Sequence, residues 1–133
     1  MSSKHADQLR GQPPRPDHRF HQLGDLPDWL KIKIRGQLNT WRAGKARTCM
    51  HNPTYGAGNS VFLVAWKPDL VVCLECPHLV ALAPHDPEDR RCDSCGRLTE
   101  GTADDRTYSA RINLAGGVLY GFAVCTACRV AMT

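Results

Sequence analysis

Between residues 25 and 46, apolar side chains recur at Leu26, Leu30, Ile34, Leu38 and Trp41. At 100° per residue these positions fall within an arc of roughly 120°, the pattern of a helix with one buried face. Asp25 is placed to cap its start, Pro27 is tolerated in its first turn, and Gly44 can end it. Gly36 inside it costs about 1 kcal/mol relative to alanine. Further along, the helical period gives way to short apolar runs. Residues 61–66 and 70–72 read as two strands around the turn Lys67-Pro68-Asp69. Pro77 opens a short helix over residues 78–83, stopped by Pro84. Residues 107–112 alternate, with Tyr108, Ala110 and Ile112 on one face, and Gly116-Gly117 turns the chain into a return strand over 118–124. Residues 1–24 are polar and broken by Pro13, Pro14 and Pro16, so they are expected to form a disordered tail. No apolar run reaches the 18 residues of a membrane span, and the first residues lack the apolar centre of an export signal. The expectation is a cytoplasmic chain.

The apolar runs deliver cysteines. Six of the seven cysteines form C-x-x-C pairs: Cys73/Cys76, Cys92/Cys95 and Cys125/Cys128. The seventh, Cys49, is followed two residues later by His51. A secreted disulfide framework favours an even count, whereas four two-ligand units make eight donors, enough for two four-coordinate ions. A C-x-x-C turn points two sulfurs the same way, and two such units face to face close a tetrahedron. The segments of 21 residues between His51 and Cys73 and of 29 residues between Cys95 and Cys125 each read as a hairpin returning the chain to its start. Sequential pairing follows, with Cys49, His51, Cys73 and Cys76 at one metal and Cys92, Cys95, Cys125 and Cys128 at the other. A crossed arrangement, with Cys49 and His51 joined to Cys92 and Cys95, is the alternative. His78 and His85 are rivals to His51, since each follows Cys76 closely. Zinc is the expected ion, two per chain, with iron the rival.

The fold expectation is a small α+β protein: a polar tail over 1–24, a basic amphipathic helix over 25–48, and two zinc-stapled β-hairpin modules over 49–91 and 92–133. The boundary between the modules is placed in the polar connection 85–91.

Charge changes the picture of partners. The net charge is +4, but residues 1–48 carry ten Lys/Arg against four Asp/Glu. Residues 49–133 carry seven against nine, and bound thiolates would make that half more negative still. Attraction to nucleic acid is therefore expected in the N-terminal third, where Lys31, Arg35 and Arg42 line one flank of the helix. The competing reading keeps these charges in water on a helix packed against the first metal module. A protein partner fits the sequence as well, and no small-molecule substrate is indicated.

The stretch Cys92-Asp-Ser-Cys-Gly…Gly121-Phe-Ala-Val-Cys125-Thr-Ala-Cys128 resembles the zinc ribbon superfamily, over roughly the last 40 residues. The whole layout is similar to small zinc-ribbon proteins of high-GC bacteria. The resemblance implies a zinc-held β-hairpin that binds nucleic acid or protein and is rarely catalytic. Rubredoxins also use two C-x-x-C turns, around iron, but glycine typically follows their second turn, and Arg129 stands here.

The function expected is a zinc-binding interaction module that is not an enzyme. The alternative is a metal-dependent enzyme with an open position at Cys49/His51/Cys73/Cys76 and Glu75 as a base. Against it, the chain has no His-x-Glu deaminase pattern, no Walker A loop, no H-E-x-x-H and no G-x-S-x-G. A redox switch built on C-x-x-C would need a βαβ context, which the pattern does not supply.

Overall fold

The computed structural model describes residues 20–21, 23–114 and 117–132. Its elements in chain order are β1 (Phe20–His21), α1 (Asp28–Arg42), β2 (Arg47–Thr48), β3 (Val61–Val64), β4 (Leu70–Cys73), β5 (Thr107–Leu114), β6 (Val118–Cys125) and α2 (Thr126–Ala131). Short 3-10 turns lie at Leu23–Asp25, Pro77–Val80 and Pro87–Arg90.

Helix α1 is shorter than its apolar pattern. Asp25 lies in a 3-10 turn and does not cap it; Pro27 takes the N-cap position with no side-chain hydrogen bond. The cause is local, because a residue before proline is driven out of the helical region, so Leu26 cannot belong to the helix. The other end is a Schellman motif. Gly44 adopts φ 74°, its N–H donates to the Trp41 carbonyl, and the Lys45 N–H donates to the Thr40 carbonyl, each at 3.0 Å. The chain then extends, and residues 47–48, expected within the helical region, pair as β2.

Leu30, Ile34 and Trp41 of α1 are buried, as the pattern predicts, and Leu38 is half-buried against the same cluster. Gln37 is buried among them. Its Nε2 donates to the Val64 carbonyl at 2.9 Å, and its Oε1 accepts from the Tyr120 hydroxyl. Two side chains thus join the helix to β3 and β6 through the middle of the core, with each polar atom satisfied.

The strands form one sheet in the order β1-β5-β6-β3-β4, with β2 added beyond β4. The β5–β6 hairpin is antiparallel from Thr107↔Cys125 to Leu114↔Val118, and β3–β4 is antiparallel with Val61 opposite Cys73. The two hairpins, expected as separate modules, are joined by parallel pairing of β3 with β6, from Val61↔Val118 to Val64↔Gly121. This junction accounts for the composition of both strands. Every residue of β3 and β6 is buried, as central strands covered on both faces must be. Gly121 belongs to this packing, since a Cβ there would lie 3.3 Å from atoms of both Phe62 and Val64.

One face of the sheet packs on α1 through Val61, Leu63, Ile112, Tyr120 and Phe122. The other face, with Phe62, Val64, Val72 and Leu119, lies under the loops that carry Cys49 and Cys76. Phe20–His21, placed at the end of the expected tail, pair parallel with Asn113–Leu114 of β5. Residues 1–19 lie outside the described residues. Among the described residues, no helix is long and apolar enough to cross a membrane.

Candidate metal centres

The two cysteine-rich groups sit at opposite ends of the sheet. Cys73 pairs with Val61, hence with the Val118 end of β6, while Cys125 closes the other end of that strand.

At the first end, β2 sets the ligands. The Arg47 guanidinium donates to both carboxylate oxygens of Asp69, at 2.7 and 3.0 Å, and the Arg47 amide donates to the Asp69 carbonyl at 2.7 Å. These contacts register β2 beside β4, Arg47 opposite Leu70 and Thr48 opposite Val71, so Cys49 arrives next to Cys73. The Cys73 amide donates to the Cys49 sulfur at 3.4 Å. A tight turn, with the Cys76 amide on the Cys73 carbonyl at 3.1 Å, brings Cys76 round. His51 completes the set, its Nδ1 lying 3.2 Å from the Cys73 sulfur and 3.4 Å from that of Cys76. His51 Nε2 points towards Glu75, 3.9 Å from its carboxylate, the kind of outer partner that orients a metal-ligating imidazole. The loop behind this group is tied to α1, because Trp41 Nε1 donates to the Pro53 carbonyl at 3.0 Å and its ring meets Tyr55 edge-on.

At the second end, the turn over residues 92–96 holds Cys92 and Cys95. The Gly96 amide donates to the Cys92 carbonyl at 2.9 Å and the Cys95 amide to the Cys92 sulfur at 3.4 Å. Gly96 itself adopts φ 80°, the left-handed conformation that closes the turn without strain. Beyond the last residue of β3, this turn takes over the vacated edge of β6. The Asp93 amide donates to the Ala123 carbonyl at 2.8 Å, and the Asp93 carboxylate accepts from the Ala123 amide at 2.7 Å. Asp93 is buried, so a single side chain docks the first ligand pair onto the strand that carries the second. Cys125 ends β6 and Cys128 lies in the first turn of α2. The second pair therefore spans a strand-to-helix junction instead of a second hairpin turn. Arg97, one residue past Gly96, bonds Asp105 at 2.6 Å.

Within each group, one ligand atom from each of the four residues lies within 4.8 Å of the others. The shorter separations match those around a tetrahedral ion. Metal–sulfur bonds of 2.3 Å and metal–nitrogen bonds near 2.05 Å predict edges of ~3.8 Å between sulfurs and ~3.5 Å between sulfur and nitrogen. The structure gives 3.6 Å for Cys73–Cys76 and 3.9 Å for Cys95–Cys125, with 3.2 and 3.4 Å to His51. All eight residues of the sequence expectation lie in these two groups, in sequential order. His78 and His85 lie in neither.

Packing the sulfurs together splits their acidities. Burial pushes the Cys49 thiol up, but hydrogen bonds from the Cys73 amide and from His51 outweigh it and bring the thiol down to about 6. Cys125 behaves alike, with burial overcome by the Cys128 amide and neighbouring thiols, at about 7. Burial and the adjacent sulfurs push Cys76 and Cys128 to about 12. Each group can therefore hold a divalent cation that replaces mutual thiolate repulsion with attraction.

The helix-flank cations do not gather into a comparable site. Lys31 bonds Asp28 at 3.2 Å, Arg42 donates to Asn39 at 3.0 Å, and Arg35 is exposed. Sequence reasoning missed Asp93, Gln37 and Arg47. The first two are polar residues at buried positions, which an apolar period cannot flag, and Arg47 acts through a strand of two residues. The chain matches no family model, no curated protein and no solved structure.

Proposed function

We propose that this chain is a nucleic-acid-binding module whose fold is held by two structural zinc ions. The observation that carries the reading is the pair of four-donor groups, each compact enough for one tetrahedral ion. Cys49, His51, Cys73 and Cys76 would hold one ion, and Cys92, Cys95, Cys125 and Cys128 the other. Sulfur and imidazole donors suit zinc, and four protein donors fill its usual shell, so the open position that catalysis requires is not left over. What a bound ion supplies is closure. The first fixes β2 and its loop against β4, and the second fixes the 92–96 turn and α2 against the end of β6. The placement of the donors at opposite ends of one sheet supports a structural role for both.

The nucleic-acid part of the proposal rests on the charge of the N-terminal third and on the exposed cations of α1. Chelation and salt test the two parts separately. Stripping the metal with excess chelator should abolish the sheet signal in circular dichroism, and zinc should restore it. Fluorescence anisotropy with a labelled oligonucleotide should show affinity falling steeply with salt. A fold indifferent to chelation would defeat the first part, and absence of oligonucleotide binding at low salt would defeat the second.

A further inference from the structure

The C-terminal half was not expected to attract polyanions, since its charges sum to a negative value. Two of its arginines nevertheless meet at one ring. The Arg106 guanidinium carbon lies 4.6 Å from the Tyr108 ring centroid and that of Arg129 lies 4.4 Å from it. Three elements contribute: the loop before β5, β5 itself, and α2. Neither guanidinium pairs with a carboxylate among the described residues. Asp105, the acid next to Arg106 in the chain, is bonded to Arg97.

A guanidinium held over a ring spends its flat face on that contact and keeps its N–H edges for a ligand. Those edges form a fork that matches the oxygens of a phosphate. Here the ring biases both guanidiniums towards one placement, so less side-chain freedom is lost on binding than for free arginines. The surroundings leave the approach open, because Ala110, two residues along the same face of the strand, is exposed, as is Arg129.

Position argues for a chain of phosphates over an isolated one. Tyr108 shares its face of β5 with Ile112, which packs in the same core as Leu30 and Ile34 of α1. Trp29, in the first turn of α1, meets Phe122 edge-on, and Phe122 pairs with Ala110, two residues from Tyr108. The arginine pair therefore continues, beyond the start of α1, the face of the sheet on which that cationic helix lies.

We infer that Arg106 and Arg129, held on Tyr108, are a phosphate-backbone contact for nucleic acid. This rests on the nucleic-acid reading above and adds a second contact region to it. It also gives the second metal group a part in binding, since Arg129 follows the ligand Cys128 directly.

The test is anisotropy with short fluorescein-labelled single-stranded RNA, single-stranded DNA and duplex DNA, comparing the full chain with R106Q/R129Q and R106K/R129K. For whichever probe binds, the glutamine pair should lose affinity on the order of tenfold at low salt. Its slope of log K against log salt should become shallower by about 1.4–1.8, the release expected from two phosphate contacts. The lysine pair should keep most of the slope while losing part of the affinity, because the charge stays and the fork goes. Metal content and circular dichroism should match the parent chain. Unchanged affinity and slope in the glutamine pair would overturn this contact and leave the nucleic-acid reading standing. Loss of metal by the glutamine pair would make the arginines structural and also overturn it. No binding of any probe by the parent chain would overturn both.

Discussion

Asp93→Ala probes how the second metal group is docked. In the folded chain the Asp93 carboxylate accepts the Ala123 amide at 2.7 Å, while the Asp93 amide serves the Ala123 carbonyl. Ala123 has no exposed surface and Asp93 is 8% exposed, so water cannot replace the lost acceptor without opening the strand edge. The substitution removes a charge-assisted hydrogen bond and strands a buried N–H. Hydrogen bonds to charged groups contribute roughly 1.5–3 kcal/mol, and an unsatisfied buried donor costs about 1–3 kcal/mol in its own right; these overlap, so a net loss of about 2–3 kcal/mol is expected. Asp93→Asn keeps an acceptor without the charge and should recover about half of that loss. Urea unfolding at fixed free zinc measures the difference, because ligand concentration sets apparent stability. A chromogenic zinc indicator added with chelator should show the ion at the second group released faster in Asp93→Ala, with release from the first group unaltered. Stability within about 0.5 kcal/mol of the parent chain would refute the claim that this side chain docks the turn, since that is the range of an ordinary surface change.

Three further substitutions test the rest of the packing. Tyr120→Phe strands the buried Gln37 oxygen and should cost about 1–3 kcal/mol in urea unfolding; no measurable loss would mean that the bond between helix and sheet is not formed. Burial, assisted by Asp93, pushes the Tyr120 phenol well above its ordinary value. Its contribution is therefore complete below about pH 10, the unfolded value, and is lost as the pH rises further and the unfolded chain ionises; Tyr120→Phe should flatten that part of the alkaline stability profile. Gly36→Ala adds a methyl group that meets nothing within 4 Å on a helix, so thermal unfolding should show a gain of about 0.5–1 kcal/mol. Gly121→Ala places a methyl against Phe62 and Val64 at 3.3 Å and should cost about 1–3 kcal/mol; a neutral result would mean that β3 yields more freely than its burial implies.

Much of this architecture is legible in the chain because its signals are local. The C-x-x-C pairs and the lengths of the segments between them pick out the ligand groups, but the closure is not that of a simple hairpin: β2 lying parallel to β4 brings Cys49 to Cys73, and Asp93 docks the 92–96 turn on β6 outside the β5–β6 hairpin. The α1 stripe is legible because it too is local, apart from its start, where Pro27 overrides the apolar period at Leu26. The joining of the hairpins is less legible. Nothing in β3 or β6 alone says that Val61 lies beside Val118, although their unbroken apolar runs already carry the mark of central strands. Two-residue strands such as β1 and β2 fall below any pattern, yet β2 places Cys49. Buried polar residues are the least legible: Gln37 falls on the apolar face of α1 and Asp93 between two ligands, and each is explained only by a partner distant in sequence, Tyr120 and Ala123.

Two tetrahedral metal groups in one folded chain would be visible in the native mass spectrum of the purified protein. Two zinc ions per chain, with all seven cysteines reduced, is the predicted result. One ion would contradict the equivalence of the two donor groups, and a metal-free chain carrying disulfides would contradict the account as a whole.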